Sequence, residues 1–233
     1  MTKTGIISET RYNESFRISS PSVNVSLETV TRTEATLRLH LIGKSDEVVS
    51  DCYVSLVVLD MHSTAVLDKK IPLVLTSLPL VSLIGLRPFH KYTVNTQVIC
   101  GGLSSSAQCP PSTRTMRQLS FSTRQDRPGA VQNLKIRSLN PYSVQVSWLS
   151  PALPNGILTH YVVEIKPEDG ETAPFTVDVP VNSAEKNDHI IETIVDQLIG
   201  GERYTFSVRA VTEAGAGEAD NAVSLTQPLL GKF

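Results

Sequence analysis

The run Tyr204-Thr205-Phe206-Ser207-Val208-Arg209-Ala210-Val211 sets apolar side chains at 204, 206, 208 and 210 against polar ones at 205, 207 and 209. A period of two suits a strand with one face on a core and the other in water. Reading backwards, Val144-Val146-Trp148, Tyr161-Val163-Ile165, Phe175-Val177-Val179 and Ile191-Thr193-Val195 share that period, and Val223-Leu225 supplies a last strand. Between them stand Pro151-Ala152-Leu153-Pro154-Asn155-Gly156, Pro167-Glu168-Asp169-Gly170 and Ala214-Gly215-Ala216-Gly217, which is turn chemistry. No amphipathic helical stretch of useful length interrupts them. Strand number and spacing predict an all-β sandwich of antiparallel sheets.

The first half repeats the plan at an offset of about 110 residues, one sandwich per repeat. Leu37 and Leu39 take the places of Val146 and Trp148, Cys52-Val54-Leu56-Val58 matches the next strand, and Tyr92-Val94-Thr96-Val98 matches the run that begins at Tyr204. The expected organisation is a partly flexible segment over residues 1–20, one domain over 21–124 and a second over 128–227. Residues Arg124 to Arg127 are too few for a floppy tether, so restricted interdomain motion is expected. The apolar stretch Ile71 to Leu86 is too short to span a bilayer and contains Pro72, Pro79 and Gly85. It reads as two buried strands and a turn.

Across 233 residues, 40% hydrophobic and 19% charged side chains describe a globular chain rather than a disordered one. The net charge of −2 gives no footprint for nucleic acid. The charge is uneven: residues 1–125 carry a surplus of 4 positive charges and residues 126–233 an excess of 6 negative ones. Met1 is followed by polar Thr2-Lys3-Thr4 without an apolar core, so no signal peptide is read here. If the protein is extracellular, this chain is a fragment whose targeting elements lie elsewhere, with no membrane contact of its own.

The residues Pro128-Gly129-Ala130-Val131-Gln132-Asn133-Leu134, Ser143 to Trp148, Tyr161 to Ile165, and Leu198 followed by Tyr204 to Val211 resemble a fibronectin type III domain. The resemblance implies two tandem seven-stranded sandwiches of immunoglobulin-like type. It gives Trp148 the space between two sheets and makes Tyr204 a tyrosine corner. In the first half, Leu86-Arg87-Pro88-Phe89-His90-Lys91-Tyr92 resembles the Leu-x-Pro-x-x-x-Tyr form of that corner. Leu39 departs from the family, where a Trp is usual. The resemblance covers residues 21–227 and extends to ectodomains of receptor-type tyrosine phosphatases and cell-adhesion receptors.

All three cysteines fall in the first half. Cys100 ends a strand and Cys109 follows in an enlarged loop, so a Cys100–Cys109 disulfide would staple that loop, worth roughly 2.5–3 kcal/mol by chain entropy. Cys52 points into the core from the neighbouring strand, which leaves Cys52–Cys109, Cys52–Cys100 and no bridge as alternatives. Three dispersed cysteines lack zinc-ligand spacing. Two glycosylation sequons occur, at Asn13 and Asn24. Asn24 alternates with Val23 and Val25 and should face solvent, and with a disulfide the sequons favour a secreted context.

No motif carries chemistry. His40, His62, His90, His160 and His189 are scattered, no nucleophile elbow, zinc-binding helix or phosphate loop is present, and Gly215-Ala216-Gly217 reads as a hairpin turn. Glu168, Asp169 and Glu171 read as a solvated loop cluster. The expectation is no enzyme, no cofactor and no metal. The candidate binding surface is the loop that holds Gly101, Gly102, Leu103 and Arg114, since recognition concentrates on loops at the ends of sandwiches. The function read from this is a non-catalytic extracellular module, binding another protein or spacing a receptor or adhesion head. An intracellular scaffold of muscle type and an accessory domain pair of a secreted enzyme are the alternatives. A cytokine-receptor pair fits less well, because Trp-Ser-x-Trp-Ser and the usual four cysteines are missing.

Overall fold

The computed structural model describes residues 22–42, 52–73, 79–100, 116–168, 172–181 and 189–228. In the first half lie β1 (Ser22–Val30), β2 (Glu34–Ile42), β3 (Cys52–Leu59), β4 (Ala65–Pro72), β5 (Leu80–Ile84), β6 (Lys91–Cys100) and β7 (Arg117–Ser122). In the second lie β8 (Gln132–Asn140), β9 (Ser143–Leu149), β10 (His160–Pro167), β11 (Phe175–Pro180), β12 (Ile191–Val195), β13 (Arg203–Thr212) and β14 (Gly215–Leu225). Each half forms a three-stranded and a four-stranded antiparallel sheet, ordered β1-β2-β5 with β4-β3-β6-β7, and β12-β9-β8 with β11-β10-β13-β14. These are the two seven-stranded sandwiches that the alternation requires.

The buried residues are those of the period-two runs, because a strand in a sandwich hides every second side chain between the sheets. Leu37, Val54, Leu56, Val58, Leu83 and Val94 fill the first core, and Trp148, Tyr161, Ile165 and Phe206 dominate the second. Trp148 meets Tyr161 edge-on at 5.4 Å between ring centroids, a favoured aromatic geometry. Leu39 is 4% exposed and Trp148 1%, so the smaller residue occupies a site that is equally closed. The first core has its own aromatic pair near the end of β7, where Tyr92 stacks on Phe121 at 5.8 Å.

One sequence expectation needs correction. In the stretch Ile71 to Leu86, of which residues 74–78 lie outside the described residues, the strands present are the end of β4 and the whole of β5, and these are outer strands of two different sheets rather than buried ones. Each packs on one side only, so in β4 Ile71 alone is buried and in β5 only Val81 and Leu83 are. Lys69 lies across from the buried Leu56, in the inward row of β4, and an outer strand tolerates this because the ammonium reaches solvent past the edge. The glycine hairpin is also displaced. Residue pairing resumes at Thr212 opposite Gly215, so β14 already begins at Gly215, whose φ of 115° suits glycine.

Candidate functional site

The tyrosine corners are present in both sandwiches. The Tyr92 hydroxyl accepts the backbone N–H of Arg87 at 2.8 Å, and the Tyr204 hydroxyl accepts that of Ile199 at 2.9 Å. Each ties a strand start to the crossover before it. A second clamp on the same crossovers was not read from sequence. Thr123 and Thr226 follow the last strand of each sandwich and are buried. The Thr123 hydroxyl donates to the carbonyl of Arg87 at 2.6 Å and accepts the N–H of His90 at 2.9 Å. Thr226 does the same with Ile199 and Glu202, at 2.6 and 3.1 Å. The signal was available in the recurrence of a Thr just beyond each closing strand.

From Thr123 the chain enters the junction, where the short linker is bonded on both sides. Arg124 donates its N–H to Thr31 and accepts that of Phe89, both at 3.0 Å, in the turns of the first sandwich. Asp126 donates its N–H to the carbonyl of Asn155 at 2.8 Å, and its own carbonyl accepts the buried Thr212 hydroxyl at 2.8 Å. The Gln125 side chain accepts the N–H of Ile157 at 2.7 Å and donates to Glu213 at 3.2 Å. Gly156 leaves room for this side chain, since a Cβ there would meet the Gln125 amide oxygen and force it to shift.

One ion pair crosses this linker: Arg32, in the β1–β2 turn, reaches the Asp126 carboxylate at 2.7 Å. The Arg32 hydrogen bond, helped by the Arg127 N–H, holds the Asp126 carboxyl below its ordinary range. Sequence reading expected restricted motion from linker length alone and missed Arg32, Gln125 and Asn155. Nothing local marks them, since their partners lie 28 to 94 residues away.

At the opposite end of the first sandwich, Cys52 opens β3 and is disulfide-bonded. A Cys100–Cys109 bridge that leaves Cys52 free is therefore not the arrangement here. Cys52 stands opposite Cys100 in the β3–β6 register. Its carbonyl accepts the Leu73 N–H at 3.0 Å, which aims its peptide groups at β4 and makes the pair with Cys100 a non-hydrogen-bonded one. Such pairs bring Cα atoms to about 4.5 Å, inside the disulfide range.

Cys109, Asn13 and the proposed binding residues Gly101, Gly102, Leu103 and Arg114 lie outside the described residues, as does the side chain of Cys100. Asn24 is exposed between buried Val23 and Val25. Glu168 accepts from Thr205 and faces Arg203 at 3.7 Å, while Asp169 and Glu171 are outside the described residues. Among the described residues no group of three His, Cys, Asp or Glu side chains could hold a metal. Among the described residues no helix is long and apolar enough to cross a membrane.

Two sandwiches, each with a tyrosine corner and joined end to end, define a modular β-sandwich protein. The chain belongs to the fibronectin type III family, as a tandem pair. A family model described as fibronectin type III domain matches residues 129–226, and one described as Dep-1 sixth Fn3-like domain matches residues 21–123. Similar curated proteins are human phosphatidylinositol phosphatase PTPRQ, 27% identical over 63% of this chain and 5% of its own length, and rat neural cell adhesion molecule L1, 30% identical over 64% and 11%. Chicken ephrin type-B receptor 3 is 30% identical over 54% of this chain and 12% of its own. The chain thus spans a small part of each. Both matched domains are of a non-catalytic kind, and the relatives include an adhesion molecule and a receptor.

Proposed function

We propose that the chain is an extracellular spacer and presenting segment of a cell-surface receptor or adhesion protein, built from domains at 21–124 and 128–227 held at a fixed angle. The observation that carries this reading is the linker, where Arg124, Gln125 and Asp126 are each bonded to a neighbouring turn and Arg32 closes on Asp126. A tether meant to swivel would leave such groups to water. The model of the Dep-1 sixth domain and the likeness to a phosphatase named PTPRQ favour a receptor phosphatase as the parent protein. The partner is another protein, and Gly101, Gly102, Leu103 and Arg114, which lie outside the described residues, are the proposed contact residues.

Small-angle scattering of the 233-residue chain tests the spacer. A single interdomain geometry should fit the native protein, and replacing Gln125 and Asp126 with glycine should broaden it into an ensemble. An equally broad ensemble for the native chain would overturn the reading.

The disulfide of Cys52 favours the extracellular reading over an intracellular scaffold. The register supports Cys100 as its partner. Non-reducing peptide mapping should return a cross-linked peptide containing Cys52 and Cys100, and a Cys52–Cys109 peptide would refute the pairing. Asn13 and Asn24 are proposed glycan acceptors, to be read by mass spectrometry of protein from secreting cells.

A further inference from the structure

The linker grips the second sandwich through a residue pair with chemistry of its own. Asn155-Gly156 is the single Asn-Gly step in the chain, and it lies in the loop between β9 and β10. An asparagine followed by glycine deamidates readily, because no Cβ on the next residue hinders the approach of its backbone nitrogen. That nitrogen attacks Cγ of the asparagine, the side-chain nitrogen leaves as ammonia, and a five-membered succinimide closes. Water then opens the ring at either carbonyl, giving aspartate or, with the backbone rerouted through Cβ, isoaspartate. No oxidant or reductant takes part, and water is the co-reactant.

The junction holds the groups that this reaction must move. Asn155 sits at a φ of 51°, left-handed backbone that asparagine tolerates. Its side-chain amide donates to the Arg127 carbonyl at 2.9 Å. Its own carbonyl, part of the peptide group whose nitrogen must turn, accepts the Asp126 N–H at 2.8 Å. On the far side of Gly156, the Ile157 N–H is bound by Gln125 at 2.7 Å, and the Gln125 side chain fills the place of a Cβ at Gly156. The linker thus restrains both the leaving amide and the attacking peptide. Asn155 is only half-buried, so local opening of the junction is enough to free the rotation that the reaction needs.

The products do not fit the same place. Aspartate at 155 is ionised at neutral pH and only accepts, so the donor to the Arg127 carbonyl is lost and two acceptors face each other. Isoaspartate also lengthens the backbone by one methylene, which shifts Gly156 away from Gln125.

We propose that Asn155-Gly156 is a deamidation site gated by the interdomain junction: it reacts while the junction is open, and its products keep the junction from closing. The inference rests on the fixed junction proposed above and adds an irreversible route by which an ageing chain loses it.

Peptide mapping by mass spectrometry, after incubation of the whole chain in mildly alkaline buffer, tests the gate. Asn155 should convert measurably in the native chain, about tenfold more slowly than in the same chain unfolded in urea, as for any site that reacts from a minor open state. Gln125→Ala frees the Ile157 N–H and the Gly156 peptide, and should speed conversion about fivefold without moving the melting transition of either domain. Asn155→Asp, at a backbone conformation that aspartate also tolerates, should broaden the small-angle scattering ensemble, and aged native protein should match it. Native conversion at the unfolded rate, no conversion in the folded chain while the unfolded one converts, or no acceleration in Gln125→Ala overturns the proposal. So does a single native-like geometry for Asn155→Asp. Each of these sinks the inference alone, whereas a broad ensemble for the unaged native chain sinks the fixed junction and the inference with it.

Discussion

The first and second sandwiches share strand order, tyrosine corner and threonine clamp, and they differ in what fills the core and what guards the edge. The second packs a single large ring, Trp148 against Tyr161, and keeps Glu192 on its outer strand and Asp196 just past that strand's end. The first fills the equivalent space with Leu39, adds a disulfide at Cys52 and exposes Leu80 and Ile84. The shared parts are backbone constraints that any sandwich of this topology must satisfy. The differing parts are side chains on positions the topology leaves open, and those are where two copies of one fold can acquire separate tasks.

Substitution at the paired core sites tests the contrast most strongly. Trp148→Leu should destabilise the second sandwich by about 3 kcal/mol, because the space left by the indole lacks neighbours shaped for a leucine. Two-domain calorimetry should show that transition alone shifted; an unshifted transition would mean that the two cores are interchangeable. Gly217→Ala should follow at about 1–3 kcal/mol, since a Cβ at 217 would run into the Pro128 carbonyl.

The shared feature should respond equally in both halves. Tyr92→Phe and Tyr204→Phe each keep the ring and lose one hydrogen bond to a backbone N–H, so each should cost about 1–2 kcal/mol in its own domain by urea unfolding. Unequal losses would show that the corner is not the common constraint it looks to be.

The junction should give the smallest energy and the clearest pH signature. Asp126→Asn should cost under about 1 kcal/mol, as expected of an exposed ion pair, yet loosen the interdomain angle seen by residual dipolar couplings. Because the folded Asp126 carboxyl is held below its ordinary range, its contribution is present above the unfolded value of about 4 and fades as pH falls through the folded one. The native junction should therefore loosen on acidification below about pH 4, and the Asn variant should not show this step.

Much of the fold was legible residue by residue. Val144-Val146-Trp148 and Tyr204-Phe206-Val208 announce buried faces by alternation, and Leu86 to Tyr92 announces a corner. β4 was hidden, because Ala65 to Pro72 packs on one neighbour only and Lys69 breaks the apolar row. The junction was legible as short but not as bonded. The pairing of Cys52 stayed open among alternatives because a cysteine's neighbours in sequence do not reveal its neighbour across a ladder.

By itself the sequence determined which side chains turn inward, since alternation is a local property of an extended backbone. It also determined where the chain reverses. The tertiary structure alone decided which strands stand at the edges, which peptide groups face outward there, and which residues 94 positions apart, such as Arg32 and Asp126, meet. Those outcomes depend on register and strand order, which are set by long-range pairing and leave no periodic trace in the residues themselves.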